Sequence, residues 1–354
     1  VKPIPVCTLK GYGEIPAADI IERLGITDQN DEKLHEATSE LYKQQHSKGK
    51  IIDSIPGFGG MKVRFAREEL KEKLIADNIP ELITIASGSS SFELANTIKE
   101  TLTGRKIEFT LLPFSFIEAI NHTNLIEEKR LLNNRLIYGF YPDVYNHFED
   151  SKEILLQLAD SYLYKDILIW EKIKKSERID KLLQALAFQV GSQVSYNEIG
   201  QMIGLNSETV EKYITLLERA FVIFRLPSFS RNLRNELKKT RKIYFYDNGI
   251  RNAVIKHFAP INLRDDVGAL WENFCISERV KRNFFNGISA NSYFWRTTQQ
   301  QEIDYIEEAD GMLSTFEFKY NSKAKARIPL TFSRNYHEEI FKVITPDNFV
   351  EWLE

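Results

Sequence analysis

Cysteine is nearly absent from this sequence: Cys7 and Cys275 are the only two in 354 residues, and they stand far apart. Two isolated thiols make neither a disulfide framework nor a zinc site, which points to a reducing compartment. The histidines are as scattered: His35, His46, His122, His147, His257 and His337 show no ligand spacing such as HxxxH. No apolar run reaches the roughly 18–20 residues that a membrane helix needs. The N-terminal stretch has no charged start followed by an apolar run, so no signal peptide is read there. A cytoplasmic protein with no membrane partner is expected. Charge of one sign is also lacking. The net charge is −3, so contact with nucleic acid would need a local patch rather than the whole chain.

What is present is the composition of a globular protein, 43% hydrophobic and 27% charged. Domains usually run about 100–150 residues, so two or three compact units are expected. In residues 1–112 a Gly- and Pro-rich start and two polar helices lead to the apolar run Ile51-Ile-Asp53. A helix over Arg64–Ala76, a strand Leu82–Ala86, a helix Phe92–Leu102 and a strand Ile107–Leu112 follow. Alternating helices and strands predict an α/β layer with parallel strands. Ligands sit at the C-terminal ends of such strands, where Asp53 and Ser87 lie.

Residues 113–176 read as helical, broken at Gly139-Phe-Tyr-Pro142 and closed by a long amphipathic helix over Leu155–Lys174. Residues 177–240 read as a winged helix-turn-helix. Helices are expected over Ile179–Val190, Ser195–Ile203 and Ser207–Leu217, then a strand over Ala220–Leu226. Ser195 with Glu198 predicts a capping box, and Ser207 is a second N-cap candidate. The third helix carries Glu208, Glu211 and Glu218 against Lys212 and Arg219, a poor surface for phosphates. From Arg225 to Lys242, in contrast, seven lysines and arginines face Glu236 alone. Arg231, Arg234, Lys238 and Lys239 are the candidates for gripping a nucleic-acid backbone or an acidic partner, with a merely solvated loop as the alternative.

Residues 241–354 mix strands and helices. In Glu302-Ile-Asp304 and Phe316-Glu317-Phe318-Lys319 the polar residues alternate with apolar ones, so each set lies on one face of its strand. A hairpin turning at Asp310-Gly311 brings Asp304, Glu317 and Lys319 together, and Glu272 on the preceding helix adds a fourth group. Two carboxylates and a lysine suit Mg²⁺-assisted phosphodiester hydrolysis. The carboxylates hold a hard cation, the cation acidifies water, and the lysine steadies developing negative charge. A solvated cross-strand ion pair is the alternative for the same residues. Asp304 followed by Glu-x-Lys at 317–319 resembles the PD-(D/E)xK core of restriction-endonuclease-like domains.

The ordered set of motifs from Asp53 to Lys319 resembles the prokaryotic AAA-type ATPases with a winged-helix and restriction-endonuclease-like C-terminal region. Ile51-Ile-Asp53 resembles a Walker B strand, and Ile85–Leu94 a sensor strand and turn. Leu102-Thr-Gly-Arg105 matches an LxGR element, and Pro113-Phe-Ser-Phe-Ile-Glu118 a PFSxxE element. Gly139-Phe-Tyr-Pro142, Tyr164-Lys-Asp166, Ile243–Gly249, Trp271-Glu-Asn273 and Glu317-Phe-Lys319 follow in order. The resemblance implies ATP and Mg²⁺ as cofactors, with Asp53 as the metal-holding acid and Ser87 and Arg105 near the nucleotide. Two features depart from the pattern. No GxxxxGK[ST] loop is present to cradle phosphates, and Ser54 stands where an acid should orient the attacking water. The ATPase half is therefore expected to be truncated upstream of Val1 or degenerate, with hydrolysis impaired. The alternatives are a metal-dependent nuclease or DNA-binding protein working through Asp304, Glu317 and Lys319, and an inert interaction scaffold. An oligomer remains compatible with all three.

Overall fold

The computed structural model describes residues 109–162, 176–230, 241–336 and 338–354. The chain divides into two units, Val1–Thr110 and Leu111–Glu354, and all that follows concerns the second. It is a mixed α/β unit with two sheets.

The unit opens with a run of short helices: α1 (Phe116–His122), α2 (Leu125–Arg130), α3 (Leu132–Tyr138), α4 (Pro142–Asn146) and α5 (Ser151–Gln157). Ser115 caps α1 through a full capping box with Glu118, which is why the Pro-Phe-Ser segment turns into helix at that point. The long helix expected over Leu155–Lys174 does not begin as predicted. α5 starts earlier, at Ser151, and gives way to a single π-helical turn at Leu158–Tyr162; residues 163–175 lie outside the described residues. Helix α6 (Ser176–Phe188) buries Ile179, Leu182, Leu183 and Leu186, one face at helical spacing.

The expected pair of helices joined by a tight turn is present as α7 (Tyr196–Ile203) and α8 (Ser207–Arg219). Ser195 caps α7 by accepting from the Glu198 amide. Ser207, however, is not the second cap: Asn206 accepts from the Thr209 amide, and Ser207 is the first helical residue. Strand β1 (Gln193–Val194), β2 (Ile223–Pro227) and β3 (Arg241–Phe245) form an antiparallel sheet in the order β1-β3-β2. β2 starts three residues later than expected, because α8 runs on to Arg219 and Phe221 turns through a left-handed conformation (φ 56°).

Helix α9 (Asn248–Val254) is buried along its whole length, and α10 (Val267–Phe285) is the long central helix. Then come β4 (Asn291–Arg296), β5 (Glu302–Ala309), β6 (Met312–Phe318), α11 (Leu330–Asn335), β7 (Glu338–Ile344) and α12 (Phe349–Leu353). The second sheet has the order β4-β5-β6-β7, antiparallel except for the parallel β6–β7 pair. β5 and β6 meet in a two-residue turn at Asp310 (φ 51°) and Gly311 (φ 80°), the positive-φ pair that suits sheet twist. A bridge between Ser228 and Phe294 joins the two sheets edge to edge.

One core cluster lies on the second sheet: Phe229, Trp295, Ile303, Ile306, Leu313 and Phe332. The other is aromatic and packs α10 against α1 and α12. Phe116, Phe274, Trp271 and Phe349 meet there with ring centroids 4.9–6.0 Å apart, mostly edge to face. No helix among the described residues is long and apolar enough to cross a membrane.

Asp247 joins the early helices to this core. Its carboxylate caps α9 at the Ile250 amide (3.1 Å) and also accepts from the Phe140 amide (2.6 Å). Gly139 is held at φ 71°, and a Cβ there would stand 2.1 Å from Asp247 Oδ1. Gly139→Ala is therefore expected to destabilise the unit by at least ~2 kcal/mol in urea unfolding. Gly268, in α10 with open space around its Cβ position, should tolerate alanine or gain up to ~1 kcal/mol.

A second prediction concerns acid. Asp266 receives hydrogen bonds from Arg251 (2.5 Å) and Arg264 (2.7 Å). Burial opposes its charge, but the two arginines prevail and hold the carboxyl down at about 2. A depressed carboxyl stabilises the fold above its ordinary value and loses that contribution as pH falls through the folded one. The urea midpoint of wild type should exceed that of Asp266→Asn in full at pH 7, and the gap should shrink between about pH 4 and pH 2.

Candidate functional site

Polar residues of β3, β5 and β6 converge beside α10. Strand β3 is apolar at Ile243 and Phe245 but carries Lys242 and Tyr244 at the alternating positions. Both reach Glu272 of α10: Lys242 Nζ donates to Glu272 Oε1 at 3.0 Å and Tyr244 OH at 2.6 Å. Lys242, only 1% exposed, also meets Glu302 Oε1 of β5 at 2.6 Å. Phe294 lies beneath its ammonium at 5.4 Å. Arg296 approaches the other Glu302 oxygen at 3.6 Å.

Beside this group lies the hairpin. Tyr305 stands opposite Phe316, so Asp304 and Glu317 occupy the next cross-strand position. Like charges placed opposite each other destabilise a sheet, and here both acids are buried. Asp304 accepts from the Phe318 amide at 2.9 Å. Lys319, just past the end of β6, reaches Glu317 Oε2 at 2.8 Å and Asp304 Oδ2 at 3.6 Å.

The electrostatics follow from this crowding. Burial pushes the Glu317 carboxyl well above its ordinary value, and the neighbouring Asp304 charge adds to the rise. Burial likewise raises Glu272, with Asp304 adding and Lys242 opposing. Burial alone would depress Lys242, but Glu272, Glu302 and Asp304 hold its ammonium charged, above its ordinary range. Lys319 is raised in the same way by Asp304 and Glu317.

The structure thus brings together Asp304, Glu317 and Lys319, with Glu272 nearby, as the strand alternation predicted. Asp53, Ser87 and Arg105 lie outside the described residues, as do Arg231, Arg234, Lys238 and Lys239. The basic run is smaller than the sequence suggested, because three of its cations are engaged within the fold. Arg225 binds Glu218 and Thr215, Arg241 reaches Glu211 at 3.4 Å, and Lys242 lies in the acid site. The same pairings occupy two of the three α8 glutamates, so the net charge of that helix misrepresents its surface. Sequence reasoning missed Lys242 and Tyr244 as site residues. Their signal was the polar–apolar alternation of β3, hidden under a count of basic residues.

Asp304 and Glu317 supply hard oxygen donors. Among the described residues no group of three or more His, Cys, Asp or Glu is arranged to hold a metal ion. A pair still fits Mg²⁺, which is bound through one or two carboxylates while water completes its shell. Lys319 offsets only one of the two negative charges, and a divalent cation would relieve the repulsion that is left.

A family model described as an AAA domain matches residues 22–120, and two domains of unknown function, DUF8612 and DUF4143, match residues 129–260 and 267–348. Residues 22–120 are thus similar to AAA domains. Lys242 and Tyr244 fall within the first domain of unknown function, and Glu272, Glu302, Asp304, Glu317 and Lys319 within the second. An uncharacterized protein of Haemophilus influenzae is 27% identical over 241 residues, 65% of this chain and 57% of that protein. An uncharacterized protein of Methanocaldococcus jannaschii is 23% identical over 238 residues, 62% of this chain and 51% of its own. A leucine–tRNA ligase of Methanothermobacter thermautotrophicus is 46% identical over 85 residues, 23% of this chain but 9% of the ligase. The chain therefore spans about half the length of these uncharacterized relatives and under a tenth of the ligase. No solved structure matches.

If repulsion from Asp304 contributes to the raised Glu317 carboxyl, Asp304→Asn should lower the Glu317 midpoint toward the ordinary range, while burial keeps it above. Carboxyl-carbon NMR titration of the chelator-treated protein reads this directly. An unmoved midpoint would assign the whole rise to burial.

Proposed function

We propose that this chain is an AAA-type ATP-binding protein, with impaired hydrolysis, whose C-terminal α/β region is a restriction-endonuclease-like domain acting on phosphodiesters with a divalent cation. The AAA-domain likeness at residues 22–120 supports the first half of the reading. The observation that carries the second is the meeting of Asp304, Glu317 and Lys319 in one buried pocket of charge. A pair of acids opposed across a hairpin is costly unless something positive joins them.

Asp304 and Glu317 would hold the cation, which when bound supplies Lewis acidity and a more acidic water. The protein's own groups do the rest. The Phe318 amide fixes the Asp304 carboxylate through Oδ2. Lys319, half-exposed at the strand end, would offer an ammonium to the negative charge developing on a phosphate. In the AAA-type part, Asp53 is proposed to hold Mg²⁺, with Ser87 and Arg105 near the nucleotide. Ser54, standing where an acid would orient the attacking water, supports weak hydrolysis.

The helix pair α7–α8 with the three-stranded sheet supports a winged-helix reading, and with it a nucleic-acid or protein partner gripped through Arg231, Arg234, Lys238 and Lys239. With Arg225 and Arg241 already paired with Glu218 and Glu211, this contact would rest on the segment between β2 and β3.

Two measurements test the proposal. In Mn²⁺ or Mg²⁺, wild type should cleave linear DNA or single-stranded RNA, and Glu317→Ala and Lys319→Ala should each lose about 100-fold or more. Wild type without cleavage of either polymer would leave the acid site as scaffold. Calorimetry with MgATP should show saturable binding that Asp53→Ala abolishes; no heat up to millimolar ATP would overturn the ATP-binding half.

A further inference from the structure

Four carboxylates, Glu272, Glu302, Asp304 and Glu317, gather around the same pocket, yet they do not form one continuous acidic surface. A cation already stands in half of it. Lys242 is almost wholly buried and lies between Glu272 Oε1 at 3.0 Å and Glu302 Oε1 at 2.6 Å. Tyr244 donates a second hydrogen bond to the same Glu272 oxygen, and the Phe294 ring closes the pocket on the ammonium. In the other half, Asp304 and Glu317 are ion-paired among the described residues with Lys319 alone, which stands at the strand end with its side chain 34% exposed. One cation is thus built into the core and the other stands at the mouth, where solvent and an incoming ion can displace it.

We infer that Lys242 is a resident counter-ion that occupies the place of a second divalent cation and restricts the acid site to a single one, held by Asp304 and Glu317. The inference rests on the metal-binding reading proposed above and adds the number of ions and the residue that sets it. The physical reason is charge and space. Two carboxylates flanking a divalent ion leave its charge balanced, whereas Glu272 and Glu302 flanking Lys242 leave one negative charge, shared with Arg296 at the rim. A second divalent ion would have to displace a hydrogen-bonded ammonium that is itself desolvated, and a buried paired charge is held far more firmly than an exposed one. Lys242 comes from β3, a strand of the sheet that also carries the α7–α8 helix pair, so the ion count is set from outside the hairpin that binds the ion.

The test is the stoichiometry of Mn²⁺ binding to the full chain without nucleotide, read by electron paramagnetic resonance of free Mn²⁺ and by native mass spectrometry. Wild type should take one ion that Asp304→Asn loses. Lys242→Met, which keeps the apolar stem and removes the charge, should take one more ion than wild type, and Glu272→Gln in that background should return the count to that of wild type. Lys242→Arg should behave as wild type. Two Asp304-dependent ions on the unaltered chain would overturn the inference without any variant, which covers the case in which Lys242→Met does not fold. A folded Lys242→Met with no added ion would overturn it while leaving the one-ion site intact. Wild type with no ion that Asp304→Asn removes would overturn the metal-binding reading, and this inference with it.

Discussion

The Asp247 carboxylate is the point on which the rest of the described fold depends. It is buried, so burial pushes its carboxyl above the ordinary value, and the amides of Phe140, Ile250 and Gly249 with the charge of Lys281 work against that rise. A buried carboxylate is tolerable only where donors surround it. The amide donors come from the turn between α3 and α4 and from the first turn of α9, so the two must meet at Asp247. The fit is close enough that Gly139 and Gly249 leave no room for a Cβ: at Gly249 it would stand 2.1 Å from the Tyr138 carbonyl oxygen.

From that junction the geometry passes to the site through amides. Asn273 of α10 brackets Phe245, accepting from its amide at 2.8 Å and donating to its carbonyl at 3.0 Å, and donates to Asn248 as well. These bonds fix the height of β3 against α10. Lys242 and Tyr244, three and one residues before Phe245, are thereby set opposite Glu272. On its far end α10 holds the start of the unit: Glu278 accepts from the Phe116 amide at 2.6 Å, and Lys281, paired with Glu278, donates to the Phe114 carbonyl at 2.9 Å. One helix therefore positions both the first segment of the unit and the acid site.

Legibility in the sequence divided along the same physical lines. Features set by local rules were readable: the Ser195 cap, the Asp310-Gly311 turn, and the strand alternation that put Asp304 beside Glu317 and Lys319. Features set by distant partners were not. Lys242 sits next to basic residues in sequence, and only the register between β2 and β3 and the approach of α10 turn it inward. Arg225 is similar, because its partners Glu218 and Thr215 lie a helix away. Asn206 displaced Ser207 as cap by a single residue, a shift that sequence alone rarely resolves when two cap residues are adjacent. The π turn at Leu158–Tyr162 follows a run whose apolar pattern reads equally well as continuing α-helix.

The motifs that carry the family resemblance also differ in what holds them in place. Pro-Phe-Ser-x-x-Glu, Gly-Phe-Tyr-Pro, Asp-Asn-Gly and Trp-Glu-Asn are largely explained by packing and hydrogen bonds: caps, a close glycine approach, an asparagine bridging a strand. Glu-x-Lys and its partner Asp304 are not. A sheet has no structural use for two acids facing each other across adjacent strands, and Lys319 at the strand end compensates them only through an exposed stem. A cross-strand pair of opposite sign at Asp304 and Glu317 would serve stability better than two acids and a lysine reaching back. Local rules are usually broken in a fold where a function requires it. The same reasoning separates the two lysines: Lys242 is sealed in among its partners, and Lys319, half-exposed beside the opposed acids, is the one that the proposed chemistry would use.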